Sequence, residues 1–126
     1  MSNEKIKFMV VDDSEVIREK IGGVLSQDFE LVGSAKNGAE AVEQFQQLQP
    51  SIMTMDITMP IMDGIQTIEA ILAIDDSVRI LVISALADKA TLIKAMSLGA
   101  YGFVCKPFTD YELEDAVEHL IEDILV

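Results

Sequence analysis

The sequence predicts an α/β fold in which five parallel strands alternate with five helices. Short, almost continuous apolar runs, the pattern of strands buried on both faces, alternate with longer segments whose apolar residues recur at helical spacing. That alternation builds βαβ units with right-handed crossovers. Several apolar runs also stop abruptly on a polar residue: Val10-Val11 on Asp12-Asp13, Met53-Thr54-Met55 on Asp56, Val82-Ile83 on Ser84, and Val104-Cys105 on Lys106. In an open parallel sheet the ligand crevice lies outside the carboxyl ends of the strands. These residues are therefore predicted to meet at one end of one sheet.

The first strand is read over residues 5–11, dominated by Ile6, Phe8, Met9, Val10 and Val11. From Ser14 the period changes, and Ile17, Ile21, Val24 and Leu25 share one helical face. Gly22 and Gly23 inside that helix cost about 1 kcal/mol each relative to Ala, and close packing against the sheet is the expected reason. Residues 30–35 form the second strand and Asn37-Gly38 a turn. Ala41, Val42, Phe45 and Leu48 define the second helix, closed by Pro50. The third strand delivers Asp56. Met59-Pro60 and Asp63-Gly64 then break the chain before Ile65, Ile68 and Leu72 begin the third helix.

Residues 79–84 are a fourth buried strand ending on a hydroxyl. The fourth helix, residues 88–98, has Leu92, Ile93 and Met96 inward and Gly99 as the residue just past its end. Its apolar stripe is the weakest of the five. Residues 101–105 form the fifth strand, and Lys106-Pro107-Phe108 leads into a last helix carrying Leu113, Val117, Leu120, Ile121 and Ile124. No repeat, linker or low-complexity stretch interrupts the chain, so residues 1–126 read as one domain.

A net charge of −13 works against nucleic acid and against anionic membrane surfaces, both of which call for Lys and Arg. Most of the acids read as solvated helix faces. Cys105 is the single cysteine, which excludes an internal disulfide and fits a reducing compartment. Its apolar strand predicts a buried, inert thiol. The N-terminus lacks a signal peptide's apolar core, and no apolar run reaches the roughly 18 residues of a membrane span. A cytoplasmic monomer is the expectation.

Taken singly, each polar strand end has an ordinary role. Asp12 with Glu15 looks like a helix N-cap with a capping box, and Asp13 and Ser14 compete for that position. Asp56 suits a turn, Lys106 a snorkelling edge residue, and Ser84 the cap of the next helix. Met53, Met55, Met59 and Met62 read as core filler. Together the residues imply more. Three carboxylates in one place repel and call for a cation, and a hard, oxygen-rich set suits Mg²⁺. With that charge in place, Asp56 is a carboxylate nucleophile for a phosphoryl group, Lys106 neutralises developing charge, and Ser84 is a short donor to a phosphoryl oxygen.

The segments Val10-Val11-Asp12-Asp13-Ser14, Met55-Asp56-Ile57-Thr58-Met59-Pro60-Ile61-Met62-Asp63-Gly64, Val82-Ile83-Ser84-Ala85 and Phe103-Val104-Cys105-Lys106-Pro107-Phe108 together resemble the receiver domain of two-component response regulators. The likeness is greatest to its stand-alone chemotaxis members. It implies a three-layer αβα, flavodoxin-like, doubly wound sheet of order 2-1-3-4-5. It further implies Asp56 as phosphoacceptor, and Asp12, Asp13, Asp56 and the backbone carbonyl of Thr58 as ligands to Mg²⁺. Lys106 and Ser84 would attend the phosphoryl group, Ser84 and Phe103 would form the switch, and the Lys106–Pro107 bond would be cis. The implied partners are a histidine kinase and a downstream effector such as the flagellar motor switch, met through helix 4, strand 5 and helix 5. Such a protein assists its own phosphorylation and dephosphorylation but is not a turnover enzyme.

In one respect the chain departs from the pattern: chemotaxis members often hold Tyr at the switch position, and Phe103 has no hydroxyl to offer. Thr58 and Leu86 match the family's variable pair flanking the phosphoryl group. Apolar Leu86 does not orient water, so self-dephosphorylation is expected to be slower than in Leu86→Glu; equal or faster phosphoryl loss in the wild type would contradict this. An Mg²⁺-dependent phosphatase of the haloacid dehalogenase type needs an Asp two residues past the nucleophile, where this chain has Thr58. A dinucleotide-binding module needs Gly-x-Gly-x-x-Gly after the first strand, which is missing. The remaining alternative is an interaction module that is never phosphorylated.

Overall fold

The structure, a computed structural model of the chain, describes residues 5–57, 63–85 and 89–122. In chain order the elements are β1 (Lys7–Val11), α1 (Glu15–Leu25), β2 (Glu30–Ala35), α2 (Gly38–Leu48), β3 (Ile52–Asp56), α3 (Gly64–Ile74), β4 (Arg79–Ala85), α4 (Lys89–Leu98), β5 (Gly102–Lys106) and α5 (Asp110–Ile121). All strand pairs are parallel, and the order is β2-β1-β3-β4-β5, as the resemblance implied. β3 is the middle strand, and all five of its residues are buried. The near-continuous apolar runs thus have the expected cause, helices covering both faces of the sheet.

Side-chain alternation divides the core into two layers. Met9, Val11, Met53, Met55, Ile80 and Val82 pack with Phe45 of α2, Ile68 and Ile71 of α3, and Ala95 of α4. Phe8, Val10, Ile52, Leu81, Ile83 and Val104 pack with Ile21 and Leu25 of α1 and Leu113, Val117 and Leu120 of α5. Each fully buried large side chain contributes about 1.5–3 kcal/mol. Four of the helices begin at identifiable caps: Ser14 for α1, Asn37 for α2, and capping boxes at Asp63/Gln66 and Thr109/Glu112 for α3 and α5. Gly99 ends α4 with φ +124°, the left-handed geometry expected at that position. Among the described residues no helix is long and apolar enough to cross a membrane.

Several expectations are corrected. Ile93 is 68% exposed and not inward, because Leu92, Ala95 and Met96 make the stripe at i, i+3 and i+4 and leave Ile93 a quarter-turn outside it. Ile71 joins the α3 face, where only Leu72 was expected at that turn. Cys105 is half-buried, because β5 is an edge strand with incomplete cover. β1 begins at Lys7, β4 runs on to Ala85, and β5 starts at Gly102 and includes Lys106. Ile124 and the start of the fourth helix at residue 88 lie outside the described residues.

Close packing does not account for the two glycines of α1. A Cβ at Gly22 would meet the Leu31 side chain at 3.4 Å, an ordinary contact, and one at Gly23 would meet nothing within 4 Å. Gly23→Ala is therefore expected to stabilise the fold by about 0.5–1 kcal/mol in chemical denaturation, through helix propensity alone.

His119, the single histidine, sits in the last turn of α5. Its pKa is raised above the ordinary 6.5, first by the ring nitrogen's hydrogen bond to the Asp115 carbonyl and then by the charges of Asp115 and Glu122. An NMR titration should give a midpoint above 6.5. A raised folded-state pKa favours the fold fully below the unfolded value, and the contribution fades as pH rises through the folded value. A midpoint at or below 6.5 would contradict the contacts described.

Candidate metal and phosphoryl site

The sheet's register brings the site together. Val11 pairs with Met55, so Asp12 and Asp56 stand level, one residue further along neighbouring strands. Phe8 and Val10 of β1, Ile52 of β3 and Val104 of β5 all face the α1/α5 layer. Alternation carries Asp12, Asp56 and Lys106 to that same face. There the Lys106 ammonium lies 3.1 Å from Asp12 Oδ2 and 3.6 Å from Asp56 Oδ2. Both carboxylates are almost wholly buried, whereas the lysine side chain keeps some exposure.

Asp13 falls outside the strand alternation because the chain turns into α1 at Ser14. It is exposed, and yet one oxygen from each of Asp12, Asp13 and Asp56 lies within 4.8 Å of the others. Three carboxylates thus cluster where the Lys106 ammonium pairs with two of them, Asp12 and Asp56.

The main chain around Asp12 is firmly held. Its N–H donates to the Ala35 carbonyl (3.1 Å), and its own carbonyl accepts from Arg18 Nη1 (2.7 Å). Asp12 Oδ1 accepts from the Ser14 N–H at 2.9 Å. The capping-box reading of Asp12 with Glu15 is therefore corrected: the α1 cap is Ser14, whose hydroxyl accepts from the Ile17 N–H at 3.3 Å. That leaves Asp12 Oδ2 turned to the cleft, buried, beside the Lys106 charge but accepting no directed hydrogen bond.

An unsatisfied buried carboxylate oxygen within a cluster of hard oxygens fits a small divalent cation. Octahedral Mg²⁺ at about 2.0–2.1 Å from its ligands places oxygens about 3–4 Å apart, so only a small closure of the cluster is needed.

Ser84 is one residue beyond Ile83, which pairs with Asp56. Following Ile80 and Val82, it belongs to the opposite face of β4 from the carboxylates and is buried, its hydroxyl donating to the Ala85 carbonyl at 3.0 Å. Phe103 pairs with Val82 and is 50% exposed. The Lys106–Pro107 bond is cis. Thr58 and Leu86 lie outside the described residues.

Two basic residues of α1 were not read as part of the site. Besides Arg18 on the Asp12 carbonyl, Lys20 donates to the Phe108 carbonyl at 2.9 Å and its ammonium sits 4.8 Å from the centre of the Phe108 ring. Together they tie α1 to the chain segments on either side of the Asp12–Lys106 pair. The available signal was two cations in the first turns of a helix that starts beside the acids.

The profile of the family described as the response regulator receiver domain matches residues 8–118. The chain belongs to this family. This receiver is 39% identical over 112 residues to chemotaxis protein CheY of Thermotoga maritima, covering 88% of this chain and 93% of that protein. It is 38% identical over 126 residues to protein-glutamate methylesterase/protein-glutamine glutaminase 1 of Syntrophomonas wolfei, covering 95% of this chain but only 36% of that protein. Among solved structures, the response regulator domain of Thermotoga maritima CheB superposes with a TM-score of 0.79 at 33% identity, covering 97% of this receiver and 95% of that chain.

Proposed function

We propose that this receiver takes a phosphoryl group from the phosphohistidine of a histidine kinase onto Asp56, with Mg²⁺ held by Asp12, Asp13, Asp56 and the Thr58 carbonyl. The observation that carries this reading is the Lys106 ammonium at 3.1 and 3.6 Å from two buried carboxylates inside a three-carboxylate cluster. Such a site can keep Asp56 ionised and still admit further negative charge.

A carboxylate oxygen of Asp56 attacks phosphorus. The new P–O bond forms as the P–N bond breaks, and its electron pair returns to the departing imidazole. Bound Mg²⁺ would offset the charge on the phosphoryl oxygens, which is most of what this transfer requires. Lys106, already beside Asp56, leaves part of its carboxylate pairing for a phosphoryl oxygen. Ser84 exchanges its donation to the Ala85 carbonyl for donation to the same group.

That exchange is the differential interaction through which phosphorylation shifts the conformational equilibrium. Phe103, half-exposed on β5, turns toward the space Ser84 gives up, and the α4–β5–α5 face changes. Ala95 is the one fully buried residue of α4, so this helix is the least anchored and the freest to move. Exposed Lys89 and Lys94 give the face local positive charge in an acidic protein. The partner met there is a cytoplasmic effector, in chemotaxis the flagellar motor switch, recognised without a phenol at the switch position.

Incubation with acetyl phosphate and Mg²⁺ is expected to add one phosphoryl group by intact mass, with none added when the metal is chelated. If neither acetyl phosphate nor a phosphorylated kinase produced an adduct, the chain would instead be a constitutive interaction module.

A further inference from the structure

The Asp63-Gly64 corner lies seven to eight residues past Asp56 and takes no part in the chemistry above. Its main chain nevertheless touches that of the phosphoacceptor. A Cβ at Gly64 would overlap Ile57 Cα and lie 2.7 Å from the Asp56 carbonyl oxygen and 3.1 Å from Ile57 C. These are backbone atoms, so no side-chain rotation relieves the conflict. The Gly64 N–H donates to the Ile57 carbonyl at 3.0 Å, while the Ile57 N–H donates to the Ile83 carbonyl at 3.2 Å.

The corner is itself anchored. Asp63 Oδ1 accepts from the Gln66 N–H (2.9 Å), and the Asp63 carbonyl accepts from the Thr67 hydroxyl (2.7 Å) and N–H (3.0 Å).

We propose that the Asp63-Gly64 corner is a positioning element that sets the placing of the Asp56 carboxylate in the metal site by clasping the main chain of residues 56–57. The proposal deepens the function above and rests on its metal site. Magnitude decides for positioning over simple helix stability. Ordinary contact begins at 3.4 Å, so a side chain at 64 must displace the Asp56 carbonyl by roughly 0.7 Å or push α3 off the sheet. A preorganised site tolerates about 0.5 Å, and Mg²⁺ demands near-ideal geometry.

The test is Mn²⁺ titration of the full chain, followed by electron paramagnetic resonance at low temperature. Gly64→Ala should weaken Mn²⁺ binding about tenfold or more, the size of effect seen when the supports of a metal ligand are lost. Gly99→Ala is the control. It strains a residue at φ +124° and meets Leu72 Cδ1 at 3.1 Å, so it costs stability while leaving Mn²⁺ affinity unchanged. Equal affinity in folded Gly64→Ala and wild type would overturn the proposal.

Should Gly64→Ala fail to fold, Asp63→Ala and Asp63→Asn decide. The two carry the same charge, but only Asn can cap α3. Weaker Mn²⁺ binding in Asp63→Ala than in Asp63→Asn supports the clasp, and identical affinities overturn it. No Mn²⁺ binding by the wild type would overturn the metal site itself, and the clasp with it.

Discussion

Asp56→Asn is expected to abolish phosphoryl uptake from acetyl phosphate while leaving the fold intact. The amide is nearly the same size and shape as the carboxylate, but it is a far poorer nucleophile and cannot form the acyl phosphate. The cluster loses one negative charge, and Lys106 retains Asp12 at 3.1 Å. In the absence of divalent ion the variant should therefore unfold at a denaturant concentration no lower than the wild type, because part of the repulsion among three carboxylates is gone. Loss of uptake together with retained stability separates a chemical role from a structural one. Undiminished uptake would move the phosphoacceptor elsewhere.

Lys106→Met should have the opposite balance, with a large effect on the fold and a smaller one on the chemistry. Methionine keeps the apolar stem but removes the ammonium, leaving the buried Asp12 and Asp56 beside Asp13 without the Lys106 charge. Removing one partner of a buried ion pair costs about 3 kcal/mol, less what the partial exposure of Lys106 allows water to recover. Denaturant titrations in chelator should show this loss. Millimolar Mg²⁺ should return part of it, since a cation that binds only the folded state stabilises it by mass action. Phosphorylation at saturating Mg²⁺ should slow by about 10²-fold, the usual effect of losing one positioned charge at a transition state. Equal stability of variant and wild type in chelator would mean that the ammonium does not hold the cluster together.

The strands and their polar ends were legible in the sequence because a sheet covered on both faces needs unbroken apolar runs and places its functional residues where those runs stop. The pairing of Asp12 with Lys106 was less open to view, since it depends on register. Val11 opposite Met55 and Ala85 opposite Lys106 are properties of the assembled sheet. Ile93 misled because both it and Ala95 fit a helical count, and burial favoured the small residue where α4 meets its neighbours. Arg18 and Lys20 left only a weak signal, two cations early in α1, for another reason. Their role is to bind carbonyls of Asp12 and Phe108, and main-chain acceptors leave no mark in a sequence. The tightness at Gly64 was hidden in the same way, although Asp63-Gly64 was visible as a break.

The most direct measurement is where the phosphoryl group goes. Borohydride reduces an aspartyl phosphate to homoserine, which peptide mass mapping locates to a single residue. After incubation with phosphodonor and Mg²⁺, homoserine is expected at position 56 and at neither 12 nor 13. Its appearance at another aspartate, or a stable adduct on a hydroxyl such as that of Ser84, would contradict Asp56 as the residue around which the site is built.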